Sequence, residues 1–227
     1  GPSVVWCIRC GTALLGSSGC GGRFFAAIIG SGTGLAMLLL GRRLFSDRVA
    51  FWAVVASAFV PLFAVGSSLM TIDTVYVFFW SWAALAFWWA KDQRALGPWI
   101  LTGVLVGLGL LSKYTAAVEL LSFAAFCLWD RPSRVHFRHA TFWVMLATAL
   151  LFFAPAVIWN IQHHWPTIRW LLARGGLDKG VGLHPSFALD FLAAQAGVIS
   201  PFLFLGLIFV CFRPRTWRAP PTFRPRS

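Results

Sequence analysis

Apolar residues fall in seven long runs along the chain, at roughly 24–40, 49–68, 74–90, 97–112, 114–129, 140–159 and 187–212. Each approaches the ~20 residues that an α-helix needs to cross a ~30 Å hydrocarbon layer. The fourth and fifth runs are separated only by Ser112-Lys113-Tyr114. Read as one helix they would be too long for a single crossing and would carry a lysine at the centre, so they are taken as two spans joined by a tight turn. The pattern predicts an all-α, polytopic transmembrane helix bundle of about seven spans.

The placement of cations supports that count. With seven spans, alternate connections carry Arg42, Arg43 and Arg48, then Lys91 and Arg94, then Arg131, Arg134 and Arg138, and the C-terminal arginines follow on the same side. Short loops rich in Lys and Arg stay cytoplasmic, which orients the bundle. Merging runs four and five would throw the 131–138 cluster and the tail onto the opposite side. The outer side then receives residues 67–73, the 112–114 turn and the segment 160–186, the only sizeable polar stretch in the chain. Chemistry is therefore expected on the outer, non-cytoplasmic face. Residues 1–22, rich in Gly, Ser and Cys, read as an irregular N-terminal segment or the remnant of something upstream; 23–212 form the transmembrane domain; 213–227 read as a basic disordered tail.

Composition narrows the class further. Hydrophobic residues make up 59% of the chain and charged residues only 11%, where a soluble domain carries about 25%. Lipid is the natural solvent for such a surface. The 13 Trp and 22 Phe fit this, since Trp is favoured at bilayer interfaces. The net charge of +12 sits in clusters between apolar runs, as suits loops near anionic lipid heads, and no nucleic-acid partner is expected. Cys7 and Cys10 have the spacing of half a zinc site, but no second pair exists; Cys127 and Cys211 lie inside apolar runs as small hydrophobes.

Few residues are left to carry chemistry. Asp73 lies between the second and third runs, where an acid either caps a helix start or faces a cavity or partner. Lys113 either snorkels to the interface or meets a phosphate as a compact point charge. The string Gly107-Leu-Gly109-Leu-Leu-Ser112-Lys113-Tyr114 is not a phosphate-binding loop, because Ser precedes the lysine and no soluble strand leads into it. Gly103 and Gly107 instead suggest a close helix-packing face. The outer loop gathers Asn160, His163, His164 and Trp165; adjacent His side chains diverge on a helix, so His164 is at best a weak metal candidate. Arg169 and Arg174 can grip a phosphate or pyrophosphate bidentately, or belong to an amphipathic interfacial helix. His136 and His139 are expected to be solvated or to face lipid. Only Glu119 and Gln195 lie clearly inside spans.

Gly41-Arg42-Arg43-Leu44-Phe45, Pro61 followed by Asp73, the Gly107–Tyr114 string, and Pro155-Ala-Val-Ile-Trp159-Asn160-Ile-Gln-His163-His164-Trp165 occur in that order. Over roughly 23–212 the set resembles the bacterial branch of the C-type membrane glycosyltransferases, family 39-like, which includes protein O-mannosyltransferases and the lipid A aminoarabinose transferase. The resemblance implies a polytopic inner-membrane enzyme. It would transfer a sugar from a polyprenyl-phosphate donor, within the lipid bilayer, to an acceptor lipid, glycan or protein on the outer face, often with a divalent cation nearby. It assigns Asp73 to a second acidic, catalytic position and Lys113 to the lipid phosphate, with Tyr114 and Arg169 as further donor-binding candidates; more loosely, His164 and Arg174 fall near the family's outer-loop His and Arg. The acidic first outer loop of that family should precede Arg23, yet residues 1–22 carry no Asp or Glu, so a product of this extent alone is expected to lack turnover. Two other classes compete: a multi-span transporter, which would place charged or broken helices near mid-bilayer, and a non-catalytic truncated membrane protein.

Overall fold

The computed structural model describes residues 5, 9, 19–61, 63–64, 71–93, 95–174 and 185–212, with 19–23, 170–171, 174 and 185–189 described by backbone alone. The expectations for Cys7, Cys10, Arg94 and the tail from Arg213 lie outside the described residues. Among those described, the chain is all helix: α1 (Gly19–Leu44), α2 (Asp47–Ala58), α3 (Ile72–Ala90), α4 (Leu96–Ser112), α5 (Ala117–Trp129), α6 (Ala140–Gln162), α7 (Pro166–Arg174), α8 (Pro185–Ile199) and α9 (Pro201–Cys211). Two 3-10 turns, Tyr114–Ala116 and Pro132–Phe137, lead into and out of α5.

Every apolar run contains helix, but not every helix has the length of a crossing. Phe24–Leu44 and α6 are each long and apolar enough. The 17 residues of α4 rise only about 25 Å at ~1.5 Å per residue. The seventh run does not form the continuous span expected of it. It breaks between α8 and α9 with a bend of 110°, at Ser200, whose φ is 87°. Pro201 supplies the reason, since it has no N–H to give the helix and disfavours helical geometry in the residue before it.

α4 is the centre of the bundle. It packs against α3 on one side and α6 on the other; α1 lies on α3, and α2 on α1. The α4–α6 approach is set by the two glycines noted in the sequence. A Cβ at Gly107 would stand 2.6 Å from Phe152 Cβ and 2.9 Å from the Ala149 carbonyl oxygen. One at Gly103 would collide with the Met145 carbonyl and come within 2.8 Å of Thr148 Cβ. Val106, Leu110, Met145 and Ala149 close the seam on either side. On the other face of the core Phe87 of α3 stacks on Phe123 of α5 at 4.1 Å, which anchors the short α5.

The basic connections gather at one end. Arg42 pairs with Asp47 at 2.8 Å and Lys91 with Asp92 at 2.7 Å, while Lys91 Nζ also lies 4.2 Å over the Trp88 ring. His136 departs from the solvated or lipid-facing position expected of it. It is 4% exposed, with Nε2 2.9 Å from the Lys91 carbonyl, Nδ1 3.2 Å from Thr141 Oγ1 and its ring 4.6 Å from that of Trp99. The carbonyl must accept, so Nε2 carries a proton, and the imidazole ties the C-terminus of α3 to the start of α6.

Candidate functional site

At the opposite end, α3 begins where Thr71, in extended conformation, caps the helix: its Oγ1 accepts from the Thr74 N–H at 3.2 Å. The cap is thus Thr71, and the Asp73 carboxylate remains available. α4 ends at Lys113, whose extended backbone stops the helix before the Tyr114–Ala116 turn reverses the chain. α3 and α4 run antiparallel, so this end of α4 meets the start of α3. Lys113 Nζ donates to Asp73 Oδ1 at 2.5 Å across 40 residues of sequence, and lies 5.9 Å over the Tyr76 ring. The Tyr76 hydroxyl lies near the Thr115 side chain.

The pair is open to its surroundings, with the lysine side chain 43% and the aspartate 65% exposed. Exposed ion pairs contribute about 0–1 kcal/mol to folding, too little to explain the pair as a brace. We expect Asp73→Asn to change the unfolding free energy in detergent by less than about 1 kcal/mol; a loss well beyond that would mark the pair as structural.

Beside it a second hydrogen-bonded group joins three elements. Asn160, near the end of α6, donates from Nδ2 to the Tyr114 hydroxyl at 3.3 Å, and that hydroxyl donates to Thr167 Oγ1 of α7 at 3.4 Å. The Tyr114 ring rests edge-on against Phe153 at 5.7 Å. The chain has only two tyrosines among 22 phenylalanines, and both stand here. That scarcity is the signal by which Tyr76, absent from the expected site, was legible: in an apolar helix a phenol replaces a phenyl ring where its hydroxyl has a partner. Thr167 offered no such signal.

The remaining outer-loop residues are only partly gathered. His164 and Trp165 adopt left-handed backbone angles, φ 59° and 57°, a conformation costing roughly 1–2 kcal/mol per residue. The turn is closed by the Trp165 N–H donating to the Asn160 carbonyl at 2.8 Å, which delivers the chain into α7. His163 stacks on Trp159 at 4.5 Å and its Nδ1 donates to the Trp159 carbonyl at 2.8 Å. Arg169 is exposed on α7, about 200° round the helix from Thr167 at ~100° per residue, and so points away from Tyr114. Arg174 ends α7, and its side chain lies outside the described residues.

Among the described residues no three His, Cys, Asp or Glu converge as metal ligands. Asp73 is engaged by Lys113, and His163 has one ring nitrogen committed to a carbonyl. The described residues do not fit a divalent-cation site. One further acid lies close: Glu119, on the first turn of α5 four residues beyond Thr115, is 1% exposed, and its Oε1 has no hydrogen-bond partner among the described residues.

This arrangement offers a cation, a carboxylate within reach of it, and a hydroxyl–amide pair, all at one end of an apolar bundle. Residues 1–159 match the family model described as dolichyl-phosphate-mannose-protein mannosyltransferase. The lipid A galacturonosyltransferase RgtD of Rhizobium johnstonii is 26% identical over 213 residues, covering 93% of this chain and 44% of that protein. An undecaprenyl phosphate-alpha-4-amino-4-deoxy-L-arabinose arabinosyl transferase of Pseudomonas savastanoi pv. phaseolicola is 27% identical over 179 residues, covering 74% of this chain and 33% of its own length. The chain therefore spans less than half the length of these curated relatives. No solved structure gives a significant match.

Proposed function

The chain belongs to the dolichyl-phosphate-mannose-protein mannosyltransferase family, whose members resemble C-type membrane glycosyltransferases, and we propose that it forms part of an enzyme that moves a sugar from a polyprenyl-phosphate donor to an acceptor. The acceptor is a lipid, glycan or protein on the outer face of a bacterial inner membrane that the chain crosses about seven times. The observation that carries the reading is the Asp73–Lys113 pair, with Tyr114 and Asn160 hydrogen-bonded beside it.

In this proposal the donor phosphate takes Lys113 from Asp73. The acceptor oxygen bonds to the anomeric carbon, the anomeric carbon–oxygen bond to phosphate breaks, and its electron pair leaves with the phosphate. Lys113 stabilises the charge that develops there, in a setting where apolar walls strengthen the attraction. Asp73, released from the lysine, receives the proton of the acceptor hydroxyl. Arg169 and Arg174, on the neighbouring helix, attract the anionic lipid head towards this end. The test is sugar transfer from a polyprenyl-phosphate donor by membranes containing the gene product that carries this chain; transfer unaffected by Asp73→Ala and Lys113→Ala together would overturn the assignment.

A further inference from the structure

Asn160 is 4% exposed, and its two amide ends are treated very differently. Nδ2 donates to the Ala156 carbonyl at 2.9 Å and to the Tyr114 hydroxyl at 3.3 Å. A carbonyl oxygen can only accept, so the amide cannot be turned over, and Oδ1, itself buried, is fixed as the end without a partner. No donor among the described residues reaches that oxygen. A buried acceptor left without a donor costs about 1–3 kcal/mol, and a leucine of similar size would avoid the cost. We propose that Asn160 Oδ1 is a specificity-determining contact that accepts a hydrogen bond from a hydroxyl or amino group of the transferred sugar.

The placement suits that ligand. Tyr114, which holds the amide through Nδ2, directly follows Lys113, so the amide and the cation proposed to meet the phosphate are held at the same end of the bundle. A glycosyl phosphate joins an anion to hydrogen-bond donors within a few bonds; bare polyprenyl phosphate satisfies the cation and leaves the amide oxygen without a donor. A site built around a donor group discriminates strongly against ligands that lack one. The inference rests on the glycosyltransferase reading and divides its ligand into two parts, with Lys113 holding the phosphate and Asn160 the sugar.

The test is equilibrium binding to the protein in nanodiscs, with two probes: undecaprenyl phosphate and undecaprenyl phosphate carrying 4-amino-4-deoxy-L-arabinose. Wild-type protein should prefer the glycosylated lipid by about tenfold. Asn160→Leu should keep its affinity for the bare lipid and lose the preference, whereas Lys113→Ala should weaken both lipids by a similar factor. Should Asn160→Leu fail to fold, the wild type decides alone: a donor lipid whose sugar lacks free hydroxyl and amino groups should bind no better than undecaprenyl phosphate. A preference that survives Asn160→Leu, or persists for the sugar without donors, overturns this inference and leaves the glycosyltransferase reading standing. Wild-type protein that binds neither lipid overturns both.

Discussion

Lys113→Ala should lower sugar transfer by about 100-fold or more while leaving the fold intact. The size follows from what the ammonium is proposed to do. A phosphate leaving group gains charge as the anomeric bond breaks, and a positioned cation is worth more to that state than to the bound ground state. The effect should therefore fall on kcat as well as on KM. Stability should barely change, because the lysine is half-exposed and its ion pair contributes about 0–1 kcal/mol to folding. Lys113→Arg should recover part of the activity, since the charge returns but the planar fork does not occupy the place of a point charge. Transfer within about threefold of wild type for Lys113→Ala, far below the loss expected of an electrostatic contact, would remove the lysine from the site.

The second large effect concerns the seam that holds the site's two halves together. Gly107→Ala should destabilise the protein by about 1–3 kcal/mol, as overpacking does, and Gly107→Leu should prevent α4 and α6 from docking. The added carbon at Gly107 meets Phe152 Cβ and the Ala149 carbonyl oxygen at under 3 Å. Both are fixed to the backbone of α6, so no flexible side-chain tip can move aside. Gly97 on the same helix is the control: nothing described lies within 4 Å of its would-be Cβ, and alanine there should be neutral or stabilising by about 0.5–1 kcal/mol. Thermal unfolding in detergent compares the three. Equal behaviour at Gly97 and Gly107 would mean that the α4–α6 contact is looser than described. Because Lys113 caps α4 and Asn160 lies near the end of α6, loosening this seam should also separate the cation from the amide.

These two sites show how far the sequence could be read. Hydropathy located helices in every apolar run, because the cost of unpaired backbone groups in lipid leaves helix as the natural form for such runs. The spacing of Gly103 and Gly107 marked the packing face, since only small residues let two backbones approach so closely. Asp73 and Lys113 were legible as candidates because charge is rare here, although their pairing depends on which helix ends coincide. Other features lay beyond composition. Hydropathy does not register the backbone angle of Ser200, so the bend between α8 and α9 was read as one span. His136 sits in a polar connection, yet tertiary packing buries it against Trp99 and the end of α3. Arg169 shares a polar loop with His164 in sequence, but the turn at His164–Trp165 starts a new helix whose phase carries the arginine away from Tyr114.

Asp73, Lys113, Tyr114 and Asn160 share one end of the bundle, and the proposed sugar transfer requires that this end face outwards. Single cysteines at Tyr114 and at Arg138, each introduced after the native cysteines are replaced, would test it with a membrane-impermeant maleimide on intact cells. Tyr114→Cys should label in intact cells, and Arg138→Cys should label only after the membrane is opened. Labelling of Arg138→Cys but not of Tyr114→Cys in intact cells would contradict it.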